Sequence, residues 1–237
     1  MPRVRSAEFF PRLMSAAAET FIAHGFQRTQ MQDVADALGV AKGTLYGYVE
    51  NKAALLAAVV RYADGVEQPP GLSELPVPAL AAGELAALVT ERLGREVAEL
   101  RLVKAMAGRR RQPVADELTG IITDLYQRLA RHRVSIKLVD RCAPELPELG
   151  EVWFGTGRSG LVSALTDYLA RRAATGVVRL PGPGPVVART ILETCVLWAV
   201  HLHWDPAGDR ELPPPDTMAA TLAGLLTHGL VSTRGRT

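Results

Sequence analysis

Four polar side chains, Lys42, Thr44, Tyr46 and Tyr48, crowd the stretch KGTLYGY, and no apolar period accounts for them. An ammonium, a hydroxyl beside a methyl, and two phenols can attract an anion, donate and accept hydrogen bonds, and present flat apolar faces. None has the partner that bond-breaking chemistry needs. No nucleophile in the 237-residue chain stands with a plausible base, and no glycine-rich phosphate loop follows a strand. His201 and His203 resemble a metal pair, but residues two apart on a helix point to different faces, whereas helical metal pairs use spacings of three or four. Cys142 and Cys195 are isolated thiols without metal-type spacing and read as ordinary helix residues. The expectation is recognition chemistry, with no catalytic residue, no metal and no cofactor.

The elements around KGTLYGY say what is recognised. Leu13, Ala16, Ala17, Thr20, Phe21 and His24 recur at intervals of three and four, which predicts a first helix from about Glu8. Gly25 is placed to close it in the left-handed conformation, with Phe26 folding back onto Phe21. Met31, Val34, Ala35 and Leu38 form the inner stripe of a second helix ended by Gly39. A third helix is expected from about Lys42 to Val49, with Leu45 and Val49 inward. Asn51 then caps a fourth that carries Leu55, Leu56, Val59 and Val60. A helix, a three-residue turn over Gly39, Val40 and Ala41, and a short helix make the helix-turn-helix arrangement, whose second helix enters the DNA major groove by its N-terminal end. On that reading Lys42, Thr44, Tyr46 and Tyr48 face DNA. Lys52 adds an ammonium at the start of the fourth helix, where free backbone N–H groups and the helix dipole favour a phosphate. Geometry alone also fits a three-helix packing unit that never touches DNA.

Bulk charge does not decide between them. The chain carries a net +2, and in its first 65 residues Arg3, Arg5, Arg12, Arg28, Lys42, Lys52 and Arg61 are opposed by Glu8, Glu19, Asp33, Asp36, Glu50 and Asp64. Hydrophobic residues make up 48%, enough for one large core or two smaller ones. No window approaches eighteen uninterrupted apolar residues, and MPRVRSAEFFPRL lacks the features of a secretory signal, so a cytoplasmic protein without a membrane partner is expected. The proline- and glycine-rich run GVEQPPGLSELPVPALAAG, residues 65–83, reads as a boundary, giving a head of residues 1–64 and a body of 65–237. Body helices are expected from Glu84 to about Ala107, from Pro113 through the Arg141 region with a break near Gly120, from Glu151 to Thr175, from Pro185 to His203 and from Asp216 to Val231. Arg109, Arg110 and Arg111 read as a solvated helix end. Without repeats or alternating strands, the fold class is all-α.

Residues 9–62, with HGF closing the first helix and DVADALGVAKGTLYGYVENKAALLAAV following in order, closely resemble the N-terminal domain of TetR-type (tetracycline-repressor-like) transcriptional regulators. The resemblance implies nine or ten helices, a three-helix DNA-binding head, a larger body that binds ligand and dimerises, and repression relieved by a small molecule. It places Gln32, Lys42, Thr44 and Tyr48 near bases, Arg28, Tyr46 and Lys52 near phosphates, and the Gly43 backbone close to DNA. Three positions depart from the family pattern. Ala41 and Gln30 stand where small hydroxyl caps are usual, with Thr29 and Gln32 available as a shifted capping box, and Gly47 replaces a larger side chain. In the body, the segment from Pro147 to His203 is similar to family halves whose two long helices form the dimer's four-helix bundle, and Gly157, Gly160, Ala164 and Ala188 would permit close packing. Tyr126, His132, Trp153, Phe154 and Trp198 are candidate ligand contacts, because a few aromatics with one polar group suit an apolar effector. The partners expected are a near-palindromic double-stranded operator, a second copy and a small effector. The alternatives are an all-helical cofactor-binding enzyme and a sequence-blind DNA-binding protein.

Overall fold

The apolar spacing at the N-terminus is realised in α1 (Phe9–His24), α2 (Met31–Leu38), a single turn α3 (Lys42–Leu45) and α4 (Lys52–Tyr62). The structure, a computed structural model, describes residues 6–108, 112–205 and 211–231, so the Arg109–Arg111 run lies outside the described residues. The chain continues through α5 (Glu84–Glu99), α6 (Arg101–Ala107), α7 (Val114–Arg131), α8 (Arg133–Cys142), α9 (Pro147–Gly150), α10 (Ser159–Ala173), α11 (Gly184–Ala199) and α12 (Pro215–Leu230). Among the described residues the only β structure is two isolated bridges, and the fold is all-α as expected.

The expected helices break where a distant side chain caps the new end. Asp124 of α7 accepts from Arg101 N at 2.9 Å and opens α6, while Arg128 donates to Glu99 O at 3.0 Å and closes α5. The predicted helix over 84–107 is therefore two. The one predicted after Pro113 breaks at His132 rather than Gly120, because Asp64 Oδ1 accepts from Val134 N at 3.0 Å and Ser135 N at 3.2 Å and so caps α8. Residues Glu151–Arg158 form a π-helix instead of the first turns of α10, and His201–Trp204 form a 3₁₀ turn after α11.

Packing divides the chain into two units. The first runs to Thr90 and takes in His132–Trp153; the second holds Glu91–Arg131 and resumes at Phe154. The boundary at 64/65 is one of composition, and the packing unit is larger for a physical reason. In the first unit α8 lies against α1 and α4, Ser135 Oγ donates to Val60 O at 2.9 Å, and Leu138, Val139 and Cys142 are buried with Leu13, Phe21, Leu55 and Val59. In the second, α7 packs against α6, α11 and α12, burying Leu118, Ile121, Ile122 and Leu125 along one face. Buried Glu117 is satisfied there by the Tyr168 hydroxyl at 2.9 Å and Arg172 Nε at 2.8 Å. Burial, then Glu117, raises the Tyr168 phenol above its ordinary range. The stretch Gly184–Trp204 is apolar and long enough to meet the composition of a membrane span, but α11 packs on α7 and α10 and bears Glu193, paired with Arg158 Nε at 3.0 Å, as a core helix does.

Candidate nucleic-acid interface

The loop that positions α2 begins at Gly25, whose φ of 82° requires glycine but whose ψ of 176° makes it extended rather than the left-handed closure expected. Phe26 then stacks on Phe21 with centroids 6.1 Å apart, the fold-back the sequence predicts. A Cβ at Gly25 would run into the Glu145 carboxylate and lie 2.7 Å from the Arg141 guanidinium, because the end of α8 grips this loop. Arg141 donates to His24 O and to Glu145, both at 2.8 Å, and Glu145 accepts from Gln27 N at 2.7 Å. That N–H, followed by Arg141, holds the Glu145 carboxyl below its usual range. Thr29 and Gln32 do not form the expected capping box. Thr29 is buried and donates to Gly25 O at 2.6 Å, Gln32 reaches Asp36 at 2.7 Å, and Asp33 accepts from Gln30 N at 2.7 Å instead. Gly39, with φ 64° and ψ 36°, supplies the left-handed turn into α3, and Asn51 accepts from Ala54 N at 2.8 Å at the start of α4.

On this frame Arg28, Gln32, Lys42, Gly43 and Tyr46 are exposed, and Thr44 is half-buried. Gln32 and the α3 residues sit on two helices that pack together. Gly43 has a helical backbone and open space where a Cβ would stand, so nothing inside the fold requires a glycine there.

Two of the expected DNA contacts, Tyr48 and Lys52, have side chains that make contacts inside the protein. Tyr48 is only 4% exposed, against 42% for Tyr46. The α-helix ends at Leu45 rather than running to Val49, and the following turns swing Tyr48 inward, where its ring lies 4.8 Å from Phe9 and its hydroxyl accepts from Ser6 N at 2.8 Å. Lys52 is likewise committed inside the protein. Its ammonium donates to the carbonyls of Phe26 at 2.8 Å, Thr29 at 2.9 Å and Gln27 at 3.3 Å, and it stands 4.5 Å over the Phe26 ring. All three donors of the ammonium are thereby used. Lys52 ties the α1–α2 loop to α4.

The body residues are divided between the units. His132 faces Asp64 at 3.7 Å and Trp153 donates to Asp140 at 2.5 Å, both in the first. Phe154, Tyr126 and Trp198 belong to the second, where Tyr126 is buried, Trp198 half-buried and Phe154 exposed. Sequence reasoning missed the Arg141–Glu145 grip, for which residues 118 positions away from the loop gave no local signal.

Residues 13–59 match the family described as bacterial regulatory proteins, tetR family. No curated protein matches the chain in sequence. Among solved structures, the ketosteroid transcriptional regulator KstR2 of Mycobacterium tuberculosis is similar at TM-score 0.59 and 14% identity, covering 96% of this chain and 97% of that one. A tetR-family regulatory protein from Rhodococcus RHA1 is similar at 0.54 and 17%, covering 96% and 100%. The regulator SCO3833 from Streptomyces coelicolor A3 is similar at 0.58 and 17%, covering 93% and 91%. At these identities the three structures speak to the fold, and they extend it over nearly the whole chain. Residues 13–59 thus match the tetR family over the helix-turn-helix, and over nearly its whole length the chain shares the fold of these transcriptional regulators.

Proposed function

We propose that the protein is a homodimeric repressor that holds a near-palindromic operator through α2 and α3 and releases it when an uncharged or weakly charged, largely apolar small molecule binds the second unit. The observation that carries the DNA contact is the exposed surface of α2 and α3, with Lys42 for phosphate or guanine, Thr44 and Gln32 for base edges, Tyr46 and Arg28 for the backbone, and Gly43 open to close approach. One head reads one half-site, so two-fold pairing has to supply the second. Val186 and Leu197 support such a pairing: they are 61% and 45% exposed on the outer side of α11, at a spacing that puts both on one face. For the effector, Tyr126 and Trp198 remain the candidate contacts among the aliphatic side chains of the second unit.

Sequencing the duplexes that the purified protein enriches from a random pool tests the reading. A recurring inverted repeat is expected, and uniform recovery of all sequences would leave only sequence-blind binding. For the effector, reciprocity fixes the criterion: a molecule that weakens operator binding roughly 5- to 150-fold must itself bind weaker by the same factor when operator saturates the protein.

A further inference from the structure

The segment between α4 and α5, which its composition marks as a linker, is tied to the DNA-facing turn. Val77 N donates to Tyr48 O at 2.8 Å and Glu50 N donates to Val77 O at 3.0 Å, forming a parallel bridge between Val49 and Val77. Glu50 Oε2 accepts from Ala79 N at 2.7 Å. Upstream, Leu75 is buried, and the 3₁₀ turn Leu72–Glu74 closes on itself through Glu74, whose carboxylate accepts from Gly71 N at 2.6 Å. The segment is thus a defined strap.

It meets the shortest helix of the head. α3 is a single turn, Ala41 offers no side-chain cap, and Gly47 follows the last helical residues. Two backbone hydrogen bonds from the strap join the chain at Tyr48–Glu50, directly after α3, and a third, from Ala79 N, reaches the Glu50 carboxylate. We propose that residues 66–82 position α3 on DNA, so that discrimination between sequences depends on Val77 and Glu50, which read no base themselves. The proposal rests on the DNA-binding reading and adds to it a specificity device outside the helix-turn-helix.

Three full-length variants test it. Val77→Pro removes the N–H that Tyr48 O uses at a position already restricted to extended backbone by Pro78. Glu50→Ala removes the acceptor for Ala79 N, and Glu50→Gln keeps an acceptor at the same charge as the alanine variant. The readout is affinity for the duplex enriched by the unmodified protein divided by affinity for a scrambled duplex, with salt dependence and thermal melting alongside. Val77→Pro and Glu50→Ala should lose roughly 3- to 10-fold of that ratio, the scale of one hydrogen bond, while Glu50→Gln keeps it. Scrambled-duplex affinity and salt slope should agree between the two Glu50 variants, because no phosphate contact changes. A ratio preserved in Val77→Pro and Glu50→Ala overturns the strap, as does an equal loss in Glu50→Ala and Glu50→Gln, which would assign the effect to charge. If Val77→Pro melts below the assay temperature, the two Glu50 variants decide. An unmodified protein that enriches no duplex overturns the DNA-binding reading and the strap with it.

Discussion

Replacing Lys52 with methionine removes the ammonium while keeping an unbranched stem, and it separates an internal tie from a phosphate contact. Three carbonyls of the α1–α2 loop lose their donor, two of them at 2.8 and 2.9 Å and one at a weaker 3.3 Å, and the Phe26 ring loses its cation. A hydrogen bond to a charged group contributes about 1.5–3 kcal/mol, but Lys52 is half-buried and water can reach part of the loop. Discounting for that exposure, the net loss should be ~2 kcal/mol, and in a chain of this size the melting temperature should fall by ~4–8 °C. Calorimetric melting and DNA titrations between about 50 and 200 mM salt provide the two readouts. The expected variant is less stable, with an unchanged slope of log affinity against log salt. An unaltered melting temperature with a slope reduced by about 0.9 would refute the reasoning, because that is the signature of one lost phosphate contact.

Gly43→Ala should leave the fold as stable or about 0.5–1 kcal/mol more so by helix propensity, yet weaken operator binding, which denaturant melts and titrations would read separately. Glu145 has a folded pKa depressed below its usual 4.5, so its contribution is present above the unfolded value and is lost as pH falls through the folded one. Urea unfolding should therefore show Glu145→Gln less stable than the unmodified protein at pH 7, with the gap closing below about pH 4. Burial pushes both the Cys142 and Cys195 thiols up to about 12, so an alkylating reagent at pH 8 should label neither until denaturant exposes them, as mass spectrometry would count.

What was legible in the sequence was local. Gly25, Gly39 and Asn51 announce helix ends, and the structure places all three at those ends, with Gly39 left-handed and Asn51 capping as expected and Gly25 extended at positive φ instead of left-handed. The apolar stripes of α1, α2 and α4 were visible because their period follows from the helix itself. The residues whose surroundings were not legible are those whose partners lie far along the chain. Tyr48 looked like Tyr46 until the helix stopped at Leu45 and Phe9 and Ser6 came to meet it. Lys52 carried the composition of a phosphate contact, and only the fold shows three carbonyls more than twenty positions upstream within its reach. The proline-rich run around Val77 read as a linker because one isolated bridge leaves no alternation to detect.

The cap that Asp64 places on α8 has a consequence for how the protein is made. The first unit is discontinuous: the chain leaves it after Thr90 and returns at His132. When α1 and α4 emerge from a ribosome, the helix that covers them has not been synthesised, and Asp64 has no N–H groups of Val134 and Ser135 to bind. At typical synthesis rates the interval from Asp64 to Cys142 lasts ~4–16 s, during which apolar surface destined for α8 stands open to solvent and to chaperones. Closing that contact joins segments about seventy residues apart and costs loop entropy that local helix formation does not repay. The first unit is thus completed only after translation has passed through Glu91–Arg131, the first part of the second unit, so a nascent chain cannot finish packing α1 and α4 before that stretch exists.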